Sequence, residues 1–379
     1  MRGNSDDPAG RLYRQKETIM RRWFGKWMLY MILAALLLCL GGCSRGGEQS
    51  AGTGIKESED APGPIRIGLC FDSFVIERWL RDRDVFVSTA QSLGAEVNVQ
   101  NANGEVEEQI EQIRYLISRK MDVIVIIAID GEALTEVVEE AKNAGIVVIS
   151  YDRLIRGAGT DLYISFDNEM VGSLMGHALV EALPEGGTVF EILGSASDNN
   201  VWQLKKGFEE AIEGHGIDIV YESFCENWLA ELAFEKVNEG LEQTGGKVDG
   251  VMCGNDDLAG QAIKALTENR IAGSVPVVAQ DAELSACQRI VEGTQTMTVY
   301  KPVDEEARIA ACFAVEMAQG KDIRDESLEY HTGETIFDGV SEVPCCALEP
   351  AAVTRENMDE VIIGGGFHQR EDVYLNVNG

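Results

Sequence analysis

From residue 65 onward two hydrophobic rhythms alternate along the chain. Val123–Ile127 and Ile146–Tyr151 are almost wholly apolar, and Ile65–Phe71 is broken only by Arg66. Short continuous runs of this kind predict parallel strands buried on both faces. Before Val123 lies NGEVEEQIEQIRYLISRK, where Val106, Ile110, Ile113 and Ile117 recur at helical spacing opposite acids and glutamines. Strand, helix, strand at this rhythm predicts right-handed βαβ units in a doubly wound α/β sheet.

The plan is used twice. Asp122 opens a strand followed by a helix and then AGIVVISYDR, which ends at Asp152; Asp249 opens another, followed by a helix and AGSVPVVAQDAEL, which reaches Asp281. The paired aspartates are 30 and 32 residues apart. Two lobes of similar design are implied, each offering an Asp beyond the carboxyl end of a strand. Ligands of open α/β sheets bind at that end, and two such edges facing each other form a cleft that closes by hinge motion.

Charge narrows the ligand. The 379 residues include 32 basic and 64 acidic side chains, a net of −32. So acidic a chain has no counterion-release drive toward nucleic acid and repels anions at long range, whereas a neutral ligand is unaffected. The first 42 residues hold seven bases and three acids, leaving 25 basic and 61 acidic residues beyond them, a net of −36. Behind that basic cluster, WMLYMILAALLLCL at 27–40 is uncharged but shorter than the ~20 residues of a spanning helix. It reads as a signal-peptide core, an uncleaved anchor helix being the alternative. Leu40-Gly41-Gly42-Cys43 resembles a bacterial lipobox, so residues 1–42 are expected to be a lipoprotein signal and Cys43 the lipidated residue. Residues 43–63, rich in Gly, Ser and Glu, read as a flexible tether. The body is thereby placed on the extracytoplasmic face of the cell membrane, lipid-anchored.

Seven cysteines remain beyond Cys43, an odd number without a C-x-x-C. Cys70 and Cys253 lie in apolar runs and read as small buried hydrophobes; a vicinal Cys345–Cys346 disulfide is the less favoured alternative to free thiols. The phosphate-loop, dinucleotide, nucleophile-elbow and zinc-protease motifs are absent, and none of the four histidines has a general-base partner. Binding rather than catalysis is expected, with no cofactor and no metal.

Polar and aromatic groups gather where strands should end. Asp72 and Glu77-Arg78-Trp79 follow the first strand, Tyr151-Asp152-Arg153 the strand from Ile146, and Asp198-Asn199-Asn200 the run from Thr188. Later come Phe224, Trp228, Asn255-Asp256-Asp257, Gln280-Asp281 and Lys301. Planar bidentate groups beside an indole face suit the vicinal hydroxyls and C–H surface of a pyranose. Each has a plain alternative: Arg78 pairing with Glu77 or Asp82, either Trp as core, Asn255 or Asp256 as a helix cap.

The segments RIGLCFDSFVIERWLRDRDVF, YDRLI, LYISFDNEMVG, GNDDLAGQAI and GTQTMTVYKPV resemble the periplasmic sugar-binding family of ABC transporters, in its D-xylose branch. The likeness covers about residues 64–330. It implies two parallel-sheet lobes joined by three crossings, near Phe166–Asp167, Tyr300–Lys301 and Asp325–Glu329. Residues 64–166 and 301–328 would form one lobe, and 167–300 and 329–379 the other. Carried over, it puts Arg78, Trp79, Asp152 and Arg153 beside the sugar from the first lobe. Asn200, Trp228, Asn255 and Asp281 would come from the second, with Lys301 at a crossing. Two departures bear on sugar preference: Phe224 where the family can carry Trp, and Gly254 where Ser is usual. CENWLAELAFEK does not match the calcium loop of galactose-binding relatives, so no metal is implied. The expected partners of this monomeric receptor are a monosaccharide, D-xylose foremost, and the transporter's permease subunits; a sensor kinase or chemoreceptor is the alternative client.

Overall fold

A computed structural model describes residues 63–377. The signal-like stretch, Cys43 and the tether up to residue 62 lie outside the described residues. Two sheets organise the rest. The first contains β1 (Arg66–Phe71), β2 (Glu96–Asn101), β3 (Val123–Ile126), β4 (Val147–Tyr151), β5 (Leu162–Phe166), β11 (Glu334–Phe337) and β12 (Glu342–Leu348), in the order β11-β12-β5-β4-β3-β1-β2. The second contains β6 (Gly187–Leu193), β7 (Ile217–Phe224), β8 (Gly250–Cys253), β9 (Val277–Gln280), β10 (Met297–Tyr300) and β13 (Ala351–Val353), ordered β13-β10-β9-β8-β6-β7. Every pairing is parallel except β11 with β12 and β10 with β13. The central strands are apolar because both faces are covered: all four residues of β3, β8 and β9 are buried.

Helices join the parallel strands, as the crossover geometry requires. In the first lobe these are α1 (Arg78–Ser92), α2 (Val106–Ser118) and α3 (Thr135–Asn143); in the second, α4 (Asn168–Ala182), α5 (Asn199–Ile212), α6 (Ala230–Gln243), α7 (Asp256–Glu268) and α8 (Leu284–Glu292). The chain leaves the first sheet after Phe166 and returns after Tyr300, where α9 (Val303–Ala318) packs against α1 and strands β3 to β5. The edge strand β2 carries no apolar run, since its residues are only half-buried.

The C-terminal stretch corrects the expected lobe division. Residues 334–348 belong to the first sheet rather than the second, and the third crossing falls at residues 349–350 instead of near Asp325–Glu329. The cause is an unfilled edge. β12 runs parallel to β5 from Cys345 opposite Tyr163 to Leu348 opposite Phe166, and buries Val343 and Cys345 against Leu154 and Tyr163. β11 then folds back as an antiparallel hairpin on the outside. Only β13 and the tail join the second lobe, where Val353, Met358 and Ile362 pack against Cys287 and Ile290 of α8. All seven described cysteines are free thiols, Cys345 and Cys346 included.

Candidate functional site

The carboxyl ends of both sheets face one small cavity. It is lined by all nine residues expected at a ligand: Arg78, Trp79, Asp152, Arg153, Asn200, Trp228, Asn255, Asp281 and Lys301. Ile76, Asn168, Asp198 and Gln280 line it too. Of these four, Asp198 and Gln280 were already visible among the polar residues at strand ends. Asn168 and Ile76 carried no such signal.

The paired aspartates are set by one backbone device. Asp152 follows β4 with φ 60°, and Asp281 follows β9 with φ 101°. Positive φ is uncommon outside glycine, and here it turns each chain out of its strand at the cleft. The backbone stays tied to its sheet: the Asp152 N–H donates to Ile164 O at 2.7 Å and that of Asp281 to Val299 O at 2.9 Å. Trp228 also has positive φ, 58°, and its ring lies on two glycines. A Cβ on Gly194 would come within 2.3 Å of that ring, and one on Gly254 within 3.1 Å.

Arg78 and Trp79 enter from the first turn of α1. The Arg78 guanidinium lies 4.4 Å from the Trp79 ring centre and binds three carboxylates: Asp152 at 2.8 Å, Asp82 at 2.9 Å and Glu306 at 2.7 Å. The i, i+4 pairing with Asp82 therefore exists beside the cleft role, not in place of it. Burial alone would lower the Arg78 pKa, but the three carboxylates outweigh it and hold it well above the ordinary value. Burial likewise opposes charge on Asp152, yet Arg78, Lys301 and Arg153 keep its carboxyl below the usual range. Glu306, the third partner, is pushed well up by burial, with Arg78 opposing and Asp152 and Asp82 adding.

Arg153 links the lobes. It reaches Asp72 of its own lobe and Asp198 of the other, each at 2.8 Å. Asp198 caps α5 by accepting from the Asn200 N–H and also accepts from Trp228 Nε1 at 3.2 Å. Asn200 Nδ2 donates back across the cleft to Asp152 O at 2.9 Å. Lys301, at the return crossing, lies 2.7 Å from Asp281. Asn255 is the N-cap of α7, its Oδ1 accepting from Leu258 N–H at 3.0 Å while the residue also lines the cavity. Asp256 does not cap the helix: its carboxylate turns inward to Gln295 and Thr298, each at 2.7 Å.

The wall thus combines indole faces and amides with cations that each already hold a carboxylate. No cation is left unpaired for an anionic ligand to neutralise. Two α/β lobes closed over such a cavity define a binding protein for a small, neutral, hydroxyl-rich molecule. The chain belongs to the periplasmic binding protein family, its residues 67–322 matching the periplasmic binding protein domain.

Relatives carry the likeness further. The D-xylose-binding periplasmic protein of Haemophilus influenzae is 42% identical over 314 residues, covering 82% of this chain and 92% of the relative. That of Escherichia coli is 40% identical over 313 residues, with the same coverages. Among solved structures, an ABC transporter solute binding protein of Clostridium phytofermentans with bound β-D-glucose superposes with a TM-score of 0.72 at 26% identity, covering 81% of this chain and 99% of its own. A carbohydrate transporter solute binding protein of Chloroflexus aurantiacus in complex with D-glucose gives 0.74 at 25% identity, covering 82% and 98%.

Proposed function

We propose that this chain is the extracytoplasmic receptor of a sugar ABC transporter, closing its two lobes on D-xylose and delivering it to the permease. The observation that carries the reading is charge compensation in the cleft: Arg78 with Asp152, Arg153 with Asp72 and Lys301 with Asp281 are paired within the protein at 2.7–2.8 Å. A neutral polyol meets polarised donors and acceptors there, whereas an anionic ligand would find no free cation. The 40–42% identity to two D-xylose-binding proteins selects the sugar. The nine cleft residues are the proposed ligand contacts. Binding shifts the population from open to closed lobes, so no chemical step is required. Isothermal titration is expected to show D-xylose binding; binding of ribose or glucose without xylose would overturn the sugar assignment.

We further propose that the mature protein begins at a lipidated Cys43 and works as a monomer on the membrane surface. Among the described residues no helix is long and apolar enough to cross a membrane. Palmitate labelling of cells is expected to mark the wild type and not Cys43→Ala; label that persists in the variant removes the anchor.

A further inference from the structure

Two amides in the cleft have orientations settled by chemistry. Gln280 is the last residue of β9, is buried, and lines the cavity. Its Nε2 donates to the carbonyl of Gly254 at 2.7 Å. A carbonyl only accepts, so turning the amide over would set two oxygens against each other. The atom left free is therefore the oxygen, and Oε1 is buried without a partner.

Asn255, the residue after Gly254, is the complementary case. Its Oδ1 is committed to capping α7, and its Nδ2 is a buried donor without a partner. One amide is fixed as an acceptor and its neighbour as a donor. A hydroxyl is both at once. Asp152 and Asp281 accept as well, but each is shared with a cation, whereas the Gln280 oxygen has no competing partner. The Gly254 carbonyl that holds Gln280 belongs to the residue on which Trp228 rests. Amide and indole are thus positioned by one turn.

We propose that Gln280 is a specificity-determining residue: its Oε1 is a fixed acceptor for one hydroxyl of the bound sugar, beside the donor supplied by Asn255. The inference rests on the sugar-binding reading above. A sugar without that hydroxyl leaves the oxygen desolvated and unmatched, and the site rejects it for that reason.

The test is isothermal titration of wild type and Gln280→Leu with D-xylose and its monodeoxy analogues, alongside sugar-free melting curves. Gln280→Leu is expected to weaken D-xylose about 10- to 100-fold. Against one deoxy analogue, which wild type already binds weakly, the substitution should cost nothing further. Should the leucine variant not fold, Gln280→Asn withdraws the oxygen by one carbon while keeping an amide, and carries the same expectation. Unchanged D-xylose affinity, or the same loss against every analogue, overturns the assignment and leaves Gln280 a prop for Gly254. A wild type that binds no free sugar overturns the reading beneath it instead.

Discussion

The two walls of the cleft solve the burial of polar groups in different ways. On the first-lobe side Arg78 is gripped by Asp82, Asp152 and Glu306, and Asp82 also accepts from the Tyr151 hydroxyl. Its exceptions are Trp79 Nε1 and Glu306 Oε1, buried without a partner, and Arg153 Nε, which has no hydrogen bond but lies 2.8 Å from Asp198. On the second-lobe side Asp281 has Lys301 alone, while Asn255 Nδ2 and Gln280 Oε1 remain unmatched. One wall spends most of its charged groups on a network within the protein; the other keeps amide hydrogen-bonding capacity in reserve. Such a network holds its side chains in place, and reserve capacity bears on which sugar is accepted.

That contrast breaks most visibly at Arg78. Arg78→Ala strands three buried carboxylates, and should cost about 3–5 kcal/mol in urea unfolding as well as abolishing sugar binding. Asp281→Ala strands one lysine on a flexible stem, so about 1–3 kcal/mol is expected while binding is lost just as fully. Equal stability losses would erase the distinction between the walls. Gly194→Ala probes the seat of Trp228. A methyl 2.3 Å from the ring must displace it, with an overpacking cost of about 1–3 kcal/mol and a shifted tryptophan emission maximum; an unchanged spectrum and affinity would place the ring's position elsewhere.

The smallest effect is electrostatic and belongs to the second lobe. Burial pushes the Asp256 carboxyl up to about 7, opposed by Arg289 and its bonds to Thr298 and Gln295, with Asp281 adding to the rise. The folded state therefore holds this proton more tightly than the unfolded chain. Its stabilisation is complete below about pH 4 and is lost as pH rises through 7. Between pH 6 and 8 the loss should be about 1 kcal/mol, read as a falling melting temperature of the sugar-free protein. Glu283, which burial and its acidic neighbours Asp256, Asp257 and Asp281 push up to about 10, keeps its proton across the same interval and steepens the fall. Asp256→Asn should therefore reduce the slope without abolishing it; a slope unchanged in the variant would assign all of it to other groups.

Much of this site was legible because its residues sit at strand ends. Asp152 and Asp281 are marked by apolar runs that stop at them, and spacing alone pairs them. The left-handed turns that aim them are not legible, because aspartate tolerates such φ values without demanding them. Asn255 read as either cap or ligand, and the structure gives one oxygen to the cap while the residue stays in the cavity wall. The lobe of β11 and β12 was beyond local reading. Alternation in TIFDGVSEVPCCALEP marks strands, but which open edge they fill depends on β5, some 180 residues earlier in the chain. Gln280 showed its polarity in the sequence, and only the neighbouring carbonyl reveals which of its two atoms is free.

The buried thiols have a consequence for a protein expected outside the cytoplasm. Burial raises Cys70, Cys225 and Cys345 to about 12, and Cys346 to about 11. At neutral pH the fraction of reactive thiolate at the first three is then on the order of one in 10⁵. Exchange with oxidants proceeds through that anion, so these thiols are slow to react in the folded chain. Its vulnerable interval is the time before the lobes fold.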